Sequence, residues 1–318
     1  MAEVIVHELK GMTSEEFYAS GGIKSCKFTA YNEIYIGNQI YVPRYKKIDE
    51  RKKDNQAVTF YENGNIKSIA LEAQTEITTS VGVISAELIT FYEDGMINSV
   101  FPLNGQIGFG WSEEEEEKLL KEMTVTLPFG QLKEKFIGIR FYHSGSLKSL
   151  ILWPKKIINL STPLGEYPVR IGFRLYEDGL LESFEPAVPI TLNCKIGPVV
   201  AFDQNALGMD ADINSVGFYP DGTLKTVKTN SDIVVNAKST EVRRIIYQQF
   251  RLDEITGKLV KVPVSLFFEE EEIIIDNGAE KNVYSIEDSK FLLLHDNLYM
   301  EKKCSPGSDC SDCGAACL

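Results

Sequence analysis

The chain has 318 residues, 46 of them acidic against 33 basic, and a net charge of −13. An acidic surface argues against binding nucleic acid through its phosphates, which takes a Lys/Arg patch. No apolar run approaches the ~20 residues that span a bilayer, and Met1-Ala2-Glu3-Val4-Ile5-Val6-His7-Glu8 has no basic segment ahead of a long apolar one, so neither a membrane span nor a signal peptide is expected and the chain reads as cytoplasmic.

One nonapeptide is written six times. The first copy, Phe17 to Ser25, follows Thr13-Ser14-Glu15-Glu16, which has the form of a helical capping box more than of a leading strand. The second is Phe60-Tyr61-Glu62-Asn63-Gly64-Asn65-Ile66-Lys67-Ser68, and the rest run Phe91 to Ser99, Phe141 to Ser149, Leu175 to Ser183 and Phe218 to Thr226. Each reads aromatic or Leu, Tyr, two turn formers, Gly, any residue, Ile or Leu, any residue, Ser or Thr. Glycine between two apolar runs marks a hairpin turn, because it supplies a residue at positive φ. A three-residue loop closed by that glycine pairs Phe60 with Ile66 and Val58 with Ser68, leaving Tyr61 and Lys67 outside.

Between the copies a second strand-turn-strand signal recurs, at Ile77 to Gly82, Val125 to Gly130 and Leu160 to Gly165. One unit is thus about four short strands joined by two turns. The six aromatic positions lie 43, 31, 50, 34 and 43 residues apart, which suits stacked units sharing one core. In the longest interval Ser112 stands ahead of Glu113 to Glu117 as an N-cap, with Glu115 three residues on, so a short inserted helix with a solvated acidic face is expected.

Beyond residue 240 the pattern decays. Phe250 to Gly257 with Lys258-Leu259-Val260 reads as a seventh hairpin, Val264 to Phe268 and Glu270 to Ile275 as further strands, and the acidic run Glu269 to Glu272 as a protected edge strand. The expected fold is all-β, an elongated repeat meander or β-solenoid of stacked hairpins with a flexible Cys-rich C-terminal tail. Its divisions are a repeat domain over 1–240, degenerate β units capping it over 241–300, and the tail over 301–318.

Reactive side chains concentrate in that tail. Cys304, Cys310, Cys313 and Cys317 are spaced C-x5-C-x2-C-x3-C among Gly, Ser and Ala. In a reducing compartment such a set reads as a metal site or as redox thiols before a disulfide framework. Four thiolates satisfy a [4Fe–4S] cluster or tetrahedral zinc, and a tail without metal stays open as the third reading. The compact Cys310-x2-Cys313-x3-Cys317 favours iron–sulfur. Cys26 and Cys194 fall within strand patterns and read as core or edge thiols. Of the three histidines, His7, His143 and His295, only His143 sits in a repeat, at a turn position that other copies fill with Glu, Ala or Pro. The outward tyrosines 18, 61, 92, 142, 176 and 219 form a ladder beside Lys67, Lys148 and Lys225, which either locks neighbouring hairpins together or offers a contact surface.

The copies resemble the MORN-like repeat variant of bacterial antitoxin-type proteins, whose unit has the form aromatic-Tyr-x-Asn/Asp-Gly-x-Leu-Lys; the likeness covers about residues 15–230. It implies a binding scaffold for a protein partner, with no catalytic residues to carry over. The function expected is a non-enzymatic scaffold or accessory protein with a metal-binding tail. The alternatives are an antitoxin-like interaction module without metal and a thiol-redox protein using the tail cysteines.

Overall fold

The computed structural model describes residues 4–6, 9–46, 51, 56–105, 111–206, 214–238, 243–253 and 257–295. All strand pairing is antiparallel, and sixteen strands join into one sheet that follows the chain as a meander. Among the described residues no helix is long and apolar enough to cross a membrane.

The six nonapeptides are the hairpins of that sheet. Each places its glycine in the left-handed region, at φ 86° for Gly64, where a side chain would be strained. The amide of Gly64 bonds the Tyr61 carbonyl at 2.9 Å and that of Tyr61 bonds the Asn65 carbonyl at 2.7 Å, and Phe60 then pairs with Ile66, as the three-residue loop requires. The next pair departs from the expected alternation. Ser68 faces Thr59, and Val58 faces Ile69, because Lys67 is an extra residue on its strand. The same bulge follows the first turn pair in all six copies, at Lys24, Lys67, Asn98, Lys148, Glu182 and Lys225. A bulge restores the apolar residue to the core face and sends the Ser or Thr to the opposite one.

Two rows follow from this register. On the core face, Cys26, Val58, Ile69, Ile89, Val100, Ile139, Leu150, Phe173, Phe184, Val216, Val227, Leu266 and Ile275 pair in succession, and each is 0% exposed. Each large apolar side chain fully buried in this row contributes about 1.5–3 kcal/mol. On the other face a row runs Glu16, Ser25, Thr59, Ser68, Thr90, Ser99, Arg140, Ser149, Arg174, Ser183, Gly217 and Thr226, and ends on Phe267, Ile274 and Val283. It crosses fifteen strands.

The core face is covered by the second hairpins. The three expected ones close on two-residue loops, Ser80-Val81, Pro128-Phe129 and Pro163-Leu164. Two more with two-residue loops among the described residues are Ile34–Ile36 with Gln39–Tyr41 and Ile190–Cys194 with Gly197–Ala201. Their tips reach the repeat turn two units ahead. Ser80 Oγ donates to the Gly145 carbonyl at 2.6 Å, and Lys195 Nζ to the carbonyls of Glu269 and Glu270 at 2.7 and 2.8 Å. A Cβ on Gly179 would stand 2.7 Å from Pro128 Cγ, and one on Gly222 3.2 Å from Pro163 Cβ.

Three further expectations are corrected. Met12–Phe17 is an exposed strand and no helix, because pairing with Ile23–Phe28 satisfies its backbone along the sheet edge. The Phe250 segment does form a hairpin, Gln249–Leu252 with Leu259–Val262, but it stands outside the main sheet; the seventh place belongs to Val264–Phe268 with Glu272–Asp276. The run Glu269 to Glu271 is therefore the tip of a turn, closed by Glu269 N–H to the Glu272 carbonyl at 2.9 Å, while the edge strand is Lys281–Ser285.

Candidate functional site

Each repeat tyrosine bonds the next hairpin. Tyr18, Tyr61, Tyr92, Tyr142 and Tyr176 donate their hydroxyls to the carbonyls of Phe60, Phe91, Phe141, Leu175 and Phe218 at 2.7–2.9 Å. Tyr219 donates to the Phe268 carbonyl at 3.0 Å, so the seventh hairpin accepts the same bond. Partial burial, with charged neighbours adding to it, holds the phenols of Tyr61, Tyr92, Tyr142, Tyr176 and Tyr219 above their ordinary value and keeps them donors. The bulge lysines Lys67, Lys148 and Lys225 lie over the rings of Tyr61, Tyr142 and Tyr219 at 5.6–5.8 Å, a cation–π distance. The tyrosine ladder is thus an internal lock.

Beside the ladder lies the hydroxyl and arginine row. Thr59 Oγ1 and Ser68 Oγ are 2.6 Å apart, Ser25 Oγ donates to Glu16 Oε2 at 3.0 Å, and Arg174 Nε to Glu182 Oε2 at 2.5 Å. Two clefts of about 270 and 350 Å³ open along it, the first around Ser99, Arg140 and Lys148, the second around Ser183, Lys225 and Thr226.

A larger cavity, about 470 Å³, sits at the turn edge between the Gly37-Asn38 tip, the Ser80 tip and the turns of the third and fourth repeats. Its floor is Ile36, Tyr41, Phe91, Ile97 and Phe141, with Met96 beside them and Asn38, Gln39, Thr79, Ser80 and Ser144 at the rim. Tyr41 meets Phe91 edge to face at 5.7 Å and donates to Gln39 Oε1 at 2.8 Å; burial pushes its phenol up to about 12.

Two buried charge clusters hold the structure at places the sequence did not reveal. Arg51 bonds Glu87 and, at 3.0 Å, Glu116, whose other oxygen accepts the Trp111 indole N–H at 2.6 Å. The helix Glu113–Leu119 has the expected Ser112 capping box, yet its acidic face is not wholly solvated, since Glu116 is buried in this cluster. In the second, Glu185 accepts the Ser215 amide at 2.8 Å and faces Arg170, and Arg170 donates to the Asp203 carbonyl at 2.6 Å. Burial raises the Glu185 carboxyl above its ordinary value.

The tail cysteines Cys304, Cys310, Cys313 and Cys317 lie outside the described residues, as does His7. Cys26 heads the apolar row, and burial, with the charge of Glu15 adding, pushes its thiol up to about 11; Cys194 is half-buried, donates to the Gly197 carbonyl at 2.9 Å and is raised by burial too. Both are protonated near neutral pH and poor nucleophiles. His143 Nε2 stands 2.9 Å from Asp94 Oδ2 and its ring packs on Tyr92, so it joins the turns of the third and fourth repeats. His295 ends the strand Ser289–His295, paired with Ser231. Among the described residues no three His, Cys, Asp or Glu side chains are grouped to hold a metal.

No protein-family model, no curated protein and no solved structure matches this chain. Its geometry offers a regular, half-exposed polar row, a cavity at the turn edge, and no activated nucleophile among the described residues.

Proposed function

We propose that the protein is a non-enzymatic scaffold or accessory protein, cytoplasmic, whose polar sheet face binds a protein partner and whose Cys304, Cys310, Cys313 and Cys317 hold an iron–sulfur cluster or another thiophilic metal. The observation that carries the platform half is the single row from Glu16 to Thr226, kept in register by six tyrosine bonds. Strands about 4.8 Å apart then set the half-exposed hydroxyls of Thr59, Ser68, Thr90, Ser183 and Thr226 and the guanidinium groups of Arg140 and Arg174 at fixed spacing, with Ser25, Ser99 and Ser149 buried between them and little ordering left to do on binding. The resemblance of the nonapeptides to the MORN-like repeat variant supports the same reading. The tail half rests on thiolate number and spacing, which suit a soft metal.

The test is anaerobic purification of the intact chain, with visible spectra and metal analysis, beside a Cys310→Ser/Cys313→Ser variant. Metal bound by the wild type and lost in the variant is the expected result. Colourless, metal-free protein under strict anaerobiosis would remove the cluster, and unchanged partner binding after deletion of residues 304–318 would leave the interaction module alone.

A further inference from the structure

The cover hairpins differ at one position. The second residue of the two-residue tip is Val81, Phe129, Leu164 and Ile196 in four of them, and Asn38 in the first. Val81 is buried, Phe129 packs on Phe173 with ring centroids 6.0 Å apart, and Ile196 packs against the core. Where the first hairpin leans towards the third repeat, an amide replaces that apolar side chain, and the 470 Å³ cavity opens beside it. Phe129 and Leu164 stay 44 and 39% exposed, so the apolar tips cap their places to different depths, and only the first hairpin has no apolar side chain there.

We propose that this cavity is a binding site for a small uncharged molecule with an aromatic or branched-aliphatic body and one polar end. Its volume lies within the roughly 300–1,000 Å³ of small-molecule sites, which are likewise mostly apolar with a few polar groups that fix orientation. The body rests on Tyr41, Phe91, Ile97 and Phe141. Among the described residues no Asp, Glu, Lys or Arg lines the cavity, so a charged ligand would lose its hydration without a counter-charge from them. Other rim groups are already engaged. Ser80 Oγ bonds the Gly145 carbonyl, Thr79 Oγ1 the Gly82 carbonyl, and Gln39 accepts from Tyr41. The exposed Asn38 amide at the mouth is the group that reads the polar end.

N-phenyl-1-naphthylamine, a neutral apolar fluorophore, tests this on the intact chain. The expected result is saturable fluorescence enhancement from one site. Asn38→Leu, which restores the side-chain type of the sibling hairpins, should weaken it at least tenfold, and Ser144→Trp across the mouth should do the same. Phe250→Ser, on the exposed hairpin outside the main sheet, should leave it unchanged and so excludes adventitious binding there. Asn38 and Ser144 are exposed turn residues, and circular dichroism checks that both variants fold. Absence of binding by the wild type would overturn the proposal, as would undiminished affinity in both mouth variants or loss of binding in Phe250→Ser.

Discussion

The hydroxyl of Tyr142 donates to the carbonyl of Leu175 at 2.9 Å and ties the fourth repeat hairpin to the fifth. Phenylalanine at 142 keeps the ring under Lys148 and removes this bond together with the hydroxyl's contact to Arg174. A net hydrogen bond contributes about 0.5–1.5 kcal/mol, so Tyr142→Phe should lower stability by roughly 1 kcal/mol in denaturant titration. No change in midpoint would show that water replaces the hydroxyl at no cost.

The contact of Pro128 with the Gly179 turn separates two glycines that look equivalent in sequence. Gly64 and Gly179 have φ of 86° and 90°, but a Cβ at 64 meets nothing within 4 Å whereas one at 179 meets Pro128. Alanine costs about 1–2 kcal/mol at either for its left-handed backbone. Gly179→Ala should cost roughly 1–3 kcal/mol more for overpacking, and Pro128→Ala in the same chain should recover part of it.

Arg51 is shared by Glu87 and Glu116, with side-chain exposures of 10, 7 and 5%. Arg51→Met leaves two buried carboxylates without a counter-charge, and the loss should be about 3–5 kcal/mol. Glu116→Gln should cost less, since Arg51 keeps Glu87. Equal losses would place the energy elsewhere.

Glu72 gives the protein an acid-sensitive contact. Burial raises its carboxyl, but the amides of Tyr45 and Lys46 and the Lys46 ammonium outweigh that and leave it below its ordinary 4.5. A carboxyl lowered on folding stabilises at pH above its unfolded value, and that contribution is lost as pH falls through the folded value. Thermal midpoints of the wild type should therefore drop more steeply below pH 4.5 than those of Glu72→Gln. Parallel curves would refute the assignment.

The nine-residue repeat determined the turns by itself, because glycine at positive φ and the apolar partners Phe60 and Ile66 act within one hairpin. The inserted helix was legible for the same reason, its signal lying in Ser112 and Glu115. The bulge at Lys67 was not, since its cause is non-local: only pairing with the flanking hairpins decides that Ile69, and not Ser68, joins the apolar row. Likewise nothing in sequence places Pro128 on Gly179 or Arg51 beside Glu116, 65 residues away. The cavity is the sharpest case. Asn38 is an ordinary turn residue in the sequence, and its meaning appears only once strand register shows that four sibling hairpins carry an apolar residue at the same tip position.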